Sequence, residues 1–305
     1  MRQEFYSNGK LLLTGEYAVL DGAKALALPT KYGQVLTVEP IKKNIISWES
    51  RDRDGKVWFQ ADFDLEMMVE ISSTNAEISK TALDIIIQTN NLRPGFLTTC
   101  GGHNLITQLT FPKEWGLGSS STLINNIAQW ARIDPYQLLE NTFGGSGYDI
   151  ACAQHNTPIT YQLDNGIPIT GQLQFNPGFK DQLFFVYLNK KKNSREGISD
   201  YRSQTFDKDE LVRIVGDLTS KIAVCTDINT FEALLDLHES VISQTLRMPT
   251  VKQKKFPNYP RAIKSLGAWG GDFILAVGNT DSMRYFKEKG YHTVLPYSEM
   301  VLNTS

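Results

Sequence analysis

The apolar positions near the start of the chain alternate as strands do. Leu11-Leu12-Leu13, Ala18-Val19-Leu20 and Val35-Leu36-Thr37-Val38 predict strands, with Gly15, Asp21-Gly22 and Gly33 as turns between them. Trp58-Phe59-Gln60-Ala61-Asp62-Phe63 predicts another. The period then changes: Leu83, Ile86 and Ile87 stand at helical spacing and predict a helix over 79–90, before a strand over 105–111. A helix is predicted over 119–133. A second follows, with Asp134 as N-cap, Pro135 as first residue and Gly144 just past its end. Between 156 and 179, Pro158, Pro168, Pro177 and several glycines interrupt strand-like pieces, and the domain boundary is expected there, giving domains 1–165 and 166–305. Beyond it the pattern predicts a buried strand over 183–188, helices over 207–223 and 230–246, a strand over 273–277 and a helix over 280–289. Mixed elements of this kind indicate an α+β second domain.

Three runs within this pattern carry candidate chemistry. In Pro112-Lys113-Glu114-Trp115-Gly116-Leu117-Gly118-Ser119-Ser120-Ser121-Thr122, a glycine turn runs straight into a predicted helix. Gly-x-Gly lets the backbone approach a ligand, and the helix start offers unpaired N–H groups and a positive dipole end, which together suit an anion, phosphate above all. The spacing is neither that of a P-loop nor that of the dinucleotide motif, and a serine-capped strand–turn–helix junction is the other reading. In Gly144-Gly145-Ser146-Gly147-Tyr148-Asp149-Ile150-Ala151, a carboxylate follows a flexible loop; Asp149 either points into a cleft or serves as a turn residue. In Asn8-Gly9-Lys10-Leu11-Leu12-Leu13-Thr14-Gly15-Glu16-Tyr17, Lys10 is either an edge lysine that snorkels or a cation held in a site.

Composition narrows the class. With 305 residues, 41% hydrophobic, 21% charged and a net charge of -2, the chain is long enough for about two domains and lacks the basic excess of a general nucleic-acid binder. Cys100, Cys152 and Cys225 are far apart without metal-ligand spacing, and are expected to be buried thiols in a reducing compartment. The first residues lack the apolar core of a signal peptide, and no run reaches the length of a membrane span. The expectation is a cytoplasmic protein without a nucleic-acid or membrane partner.

Taken together and in this order, the three runs resemble the GHMP kinase superfamily of small-molecule kinases. Residues 10–20 resemble its first motif, residues 112–122 its phosphate-binding second motif, and Ser265-Leu266-Gly267-Ala268-Trp269-Gly270-Gly271-Asp272 its C-terminal glycine motif. Asn8 stands where the family usually has proline, and Trp269 replaces a glycine. The resemblance implies an α+β fold with an N-terminal ribosomal-S5-like α/β domain, a C-terminal ferredoxin-like domain and an active site between them. It implies ATP and Mg²⁺, with Asp149 as the group that orients or deprotonates the acceptor hydroxyl and Lys10 offsetting charge near it. Gly116, Leu117, Gly118, Ser119, Ser120 and Ser121 would hold the nucleotide phosphates, and Ser120 and Glu140 the metal. Glu16, Tyr17, Lys190, Ser194, Arg195, Gly267, Gly270 and Gly271 would meet the substrate. Within the superfamily, Gly15-Glu16-Tyr17-Ala18-Val19 and the Asp closing Gly270-Gly271-Asp272 resemble phosphomevalonate kinases. Lys190-Lys191-Lys192-Asn193-Ser194-Arg195 is either a cationic substrate loop or a solvated one. Mevalonate kinase, a related decarboxylase and a non-catalytic ligand-binding regulator are the alternatives, and a monomer or homodimer is expected.

Overall fold

Contacts within the chain gather it into two compact units stitched from interleaved segments. The first holds Met1–Gly9, Tyr32–Lys113 and Gly118–Gln154; the second holds Lys10–Lys31, Glu114–Leu117 and His155–Ser305. No single cut in the sequence separates them. The computed structural model describes residues 1–303, apart from the side chains of Thr98 and Cys100, so the thiol expected at Cys100 lies outside the described residues. Cys152 is buried as expected; Cys225 is only half-buried.

Two long paired strands, β1 (Gln3–Thr14) and β2 (Ala25–Pro40), continue from the first unit into the second. In the first unit they are joined by β3 (Ile45–Arg51), β4 (Val57–Asp64) and β5 (Val69–Ser73), then by α1 (Ala76–Leu92), α2 (Phe96–Cys100) and β6 (His103–Leu109). The chain closes this unit with α3 (Ser119–Ala131), α4 (Pro135–Thr142) and α5 (Tyr148–Gln154). The strand order is β5-β4-β3-β6-β2, antiparallel except for the parallel β3–β6 pair. Side chains alternate about each strand, so Ile46 and Trp48 of β3, Phe59 and Phe63 of β4 and Leu105 of β6 fall on one buried face. Helices α1 and α3 pack their apolar stripes there, with Ile85, Ile86, Ile124 and Ile127 in the same core.

In the second unit, β7 (Ile159–Asp164) and β8 (Ile167–Gln172) form a hairpin, and β7 pairs with Ala25, Leu26 and Ala27 of β2. Asn165 and Gly166 both take positive φ, 50° and 80°, the two-residue turn whose twist suits a hairpin. The proline-broken stretch expected as a boundary therefore contains paired strands. The chain then forms β9 (Leu183–Tyr187), α6 (Ser194–Ser203), α7 (Lys208–Ala223), α8 (Ile228–Leu246), α9 (Val251–Lys255), β10 (Ile263–Ser265), β11 (Phe273–Val277), α10 (Thr280–Glu288), β12 (Val294–Pro296) and α11 (Tyr297–Met300). A second sheet runs β10-β11-β9-β12, antiparallel throughout. Phe184, Ile274, Phe256 and Phe286 form one core of this unit; Tyr17, Ala18, Tyr201, Val215, Ile242 and Trp269 form another.

One predicted strand is not a strand. Ala18-Val19-Leu20 lies in a single 3-10 turn, Ala18–Asp21, entered through Gly15 at φ 96° and Tyr17 at φ 58° and left through Gly22 at φ 96°. A side chain on Gly15 would place Cβ 2.6 Å from Cβ of Ala25, so only glycine fits where the chain leaves the extended strand at φ 96°. Among the described residues, no helix is long and apolar enough to cross a membrane.

Candidate functional site

Helix α3 of the first unit follows directly on the glycine turn, whose residues Glu114–Leu117 belong to the second unit. Gly118 is the N-cap of α3 at φ 89°, and no side chain caps the helix. The first-turn N–H groups of Ser119, Ser120 and Ser121 therefore keep their hydrogen-bonding capacity and the full positive end of the dipole. Thr122 instead turns inward, its hydroxyl 2.7 Å from Oε1 of Gln34.

The same helical turn reaches Asp149. The Ser121 hydroxyl donates to Oδ2 of Asp149 across 2.5 Å. Asp149 sits in the first turn of α5, after a loop in which Gly144, Gly145 and Gly147 take φ of 66°, 114° and 82°. A buried amide network holds the two helices in place. Asn125 donates to the Ser7 hydroxyl at 2.8 Å, Ser7 to Asn126 at 2.7 Å, and Gln154 of α5 to Asn125 at 3.1 Å. Ser121 was expected to serve the nucleotide phosphates; its side chain is committed to the carboxylate, leaving only its N–H for an anion. The Ser120 side chain is exposed, as is Glu140 near the end of α4. No group of three or more His, Cys, Asp or Glu among the described residues is gathered to hold a metal ion. An exposed hydroxyl beside an uncapped helix end suits Mg²⁺ that arrives with phosphate oxygens, since Mg²⁺ takes few protein ligands.

In the second unit, the Lys10 ammonium donates to the carbonyl of Gly116 at 3.2 Å, and its N–H to the carbonyl of Leu117 at 3.0 Å. Asp272 belongs with them. A Cβ on Gly116, whose φ is 67°, would fall 2.4 Å from the Asp272 carboxyl carbon, so Gly116 is needed as glycine for both conformation and space. Asp272 itself holds φ 50°, which Asp tolerates better than most side chains, and its Oδ1 accepts the Lys192 N–H at 3.1 Å. Burial raises its carboxyl above the usual range, opposed by Lys10, the Lys192 N–H and Lys191. A half-buried, left-handed aspartate whose charge Lys10 favours is a candidate site residue beyond those expected. Its signal was the Asp closing the third glycine run.

Glu16 and Tyr17, expected at the substrate, are interior. Glu16 is 1% exposed and pairs with the ammonium of Lys264, itself fully buried. The Tyr17 ring stacks on Tyr201 at 5.5 Å, and its hydroxyl accepts the Trp269 N–H at 3.0 Å. Trp269, where a glycine was expected, is 2% exposed and anchors the third glycine turn in the helical core. Gly267 and Gly270, at φ 64° and 86°, have open space where a Cβ would lie, whereas Gly271 packs against Lys192. Lys190 and Arg195 are exposed, but Ser194 and Arg195 open α6 and do not lie in a loop, because Asn193 caps that helix by accepting the Arg195 N–H.

No family model matches the chain, and no curated protein sequence does. Solved structures do. The Lin0012 protein of Listeria innocua shares 15% identity over 97% of each chain, with a TM-score of 0.73. Methanococcus jannaschii mevalonate kinase shares 17% over 96% of each, with a TM-score of 0.68. Streptococcus pneumoniae phosphomevalonate kinase, solved with phosphomevalonate and AMPPNP, shares 16% over 98% of each, with a TM-score of 0.69. The fold is that of the GHMP kinases. At these identities the likeness establishes the GHMP kinase fold over nearly the whole chain, and the chemistry has to be argued from the residues themselves.

Proposed function

We propose that this chain is an ATP-dependent small-molecule kinase that phosphorylates phosphomevalonate. One observation carries the kinase reading: the uncapped start of α3, which suits an anion, bears in its first turn the serine that holds the Asp149 carboxylate. A phosphate seated on those N–H groups and an acceptor oxygen presented to Asp149 meet within one helical turn, the juxtaposition that phosphoryl transfer needs. The N–H groups of Gly116, Leu117, Gly118, Ser119, Ser120 and Ser121 bind the nucleotide phosphates. Asp149 orients the attacking oxygen of the acceptor, a phosphate oxygen in phosphomevalonate, and takes its proton where it carries one as the terminal phosphoryl moves across and ADP departs. Lys10 offsets charge on the phosphates. Mg²⁺, when bound, neutralises phosphate charge; Ser120 would hold it, and Glu140 is the second candidate. The acceptor reading rests on cations: Lys190 and Lys191 are exposed beside Asp272 at the end of the third glycine turn, Arg195 is exposed in the first turn of α6, and charge-assisted contacts of this kind favour an acceptor that already carries phosphate.

The test is ADP release with mevalonate, phosphomevalonate, diphosphomevalonate, homoserine and simple sugars as acceptors, for wild type and Asp149→Asn. Phosphomevalonate should give the highest kcat/KM, and the variant should lose about 10²- to 10⁴-fold in kcat with little change in ATP KM. Preference for mevalonate would replace the acceptor. Full turnover in Asp149→Asn would remove the mechanism.

A further inference from the structure

A group of four titratable side chains in the second unit takes no part in that chemistry. Glu16, from the turn after β1, pairs with the Lys264 ammonium of β10. Lys264 also lies 3.1 Å from Oε1 of Glu239 on α8, and Glu239 accepts both the N–H and the hydroxyl of Ser265 at 3.0 Å. His238, beside Glu239, accepts the Gly15 N–H on Nε2 at 3.1 Å, which fixes the proton on Nδ1. Nδ1 of His238 and Oε2 of Glu16 are buried without a hydrogen-bond partner. Such a network is weak evidence for stability, because desolvating each ion costs several kcal/mol and apolar replacements of similar size often serve as well.

What the network does is fix a place. Lys264 and Ser265 immediately precede the third glycine turn, and both are gripped, by Glu16 and Glu239. Tyr17, next to Glu16, holds the middle of the same turn through the Trp269 N–H. The turn ends at Asp272, which lies against Gly116. Two adjacent residues of the first motif thus clamp the base and the middle of the third. We propose that Glu16 is a positioning residue: through Lys264, and with Glu239 and His238 completing the network, it sets the path of residues 266–271 and so the position of Asp272. The consequence for catalysis rests on the kinase reading above; the mechanical claim does not.

Hydrogen–deuterium exchange of the peptide containing 266–271 tests it directly, with the peptides of α7 and β9 as internal references. Lys264→Met should speed exchange at 266–271 by at least about ten-fold while the references keep their protection, and Glu16→Gln, which retains the shape and one hydrogen bond, should give a smaller rise in the same peptide. If Lys264→Met is too unstable to purify, the Glu16→Gln comparison decides alone. A uniform rise across all peptides would make the network a general stabiliser, and unchanged exchange at 266–271 would leave the turn independent of it; either result overturns the proposal. Among variants with the local rise, kcat for the acceptor that the wild type uses should fall while ATP KM stays within about two-fold. Loss of activity in wild type itself would count against the kinase reading and leave the exchange result standing.

Discussion

A carboxylate with almost no exposed surface takes a proton more readily, and Glu16 shows this: burial pushes it up to about 7 from an ordinary 4.5, with Lys264 opposing and Glu239 adding to the rise. A folded-state value above the unfolded one means that this group's contribution to stability is complete below about pH 4.5 and is lost as pH climbs through 7. His238 works the other way. Its burial and the nearby Lys264 hold it well below 6.5, so folding expels its proton and stability falls as pH drops below that value. Between about pH 4.5 and 6.5 the two slopes oppose each other. Glu16→Gln should unmask the His238 slope, up to about 1.4 kcal/mol per pH unit, so urea midpoints of wild type and variant should diverge with pH across 5 to 8. A constant difference over that range would mean that Glu16 does not titrate there. Motif position puts Glu16 with the substrate because it says nothing about depth, and no local pattern announces a partner 248 positions away. Asp149 was legible as a carboxylate after a glycine loop; its tie to Ser121 was not, since three consecutive serines look alike until the helix phase decides which one turns inward.

At the scale of elements, the glycine turn and α3 were readable because each step has a local cause: glycine at positive φ, then a helix-period apolar stripe. The Ala18–Asp21 turn was not, since three apolar residues before Asp-Gly suit a strand end as well as a 3-10 turn. The β7–β8 hairpin was within reach, because Asn165-Gly166 between strand-like runs is a strong hairpin signal, masked by the prolines around it. Gly118 puts the nucleotide assignment at stake. Valine at φ 89° is strained by about 1–3 kcal/mol and crowds the N–H groups of α3, so Gly118→Val should weaken ATP binding at least ten-fold in a calorimetric titration. Unchanged affinity in a folded variant would move the nucleotide elsewhere.

For the whole molecule, the expected cut at 165/166 meets a chain whose second unit needs Tyr17, Ala18 and Ala23 in its helical core. A fragment of residues 166–305 lacks all three, and fragment 1–165 leaves those apolar residues uncovered. Neither fragment should show the sigmoidal melt or dispersed amide spectrum of the intact protein; a cooperative melt from either would show that a linear boundary is enough. The uncapped start of α3 has a consequence at this scale too. A helix that lacks its own cap leaves a stabilising interaction for a solute to complete, and whatever anion completes it binds the folded state alone. Melting temperature then becomes a thermometer of occupancy: at a hundred times its dissociation constant, an anion on α3 adds roughly 2.7 kcal/mol to the fold. The bare glycine before Ser119 thus couples any anion bound there to the persistence of the fold.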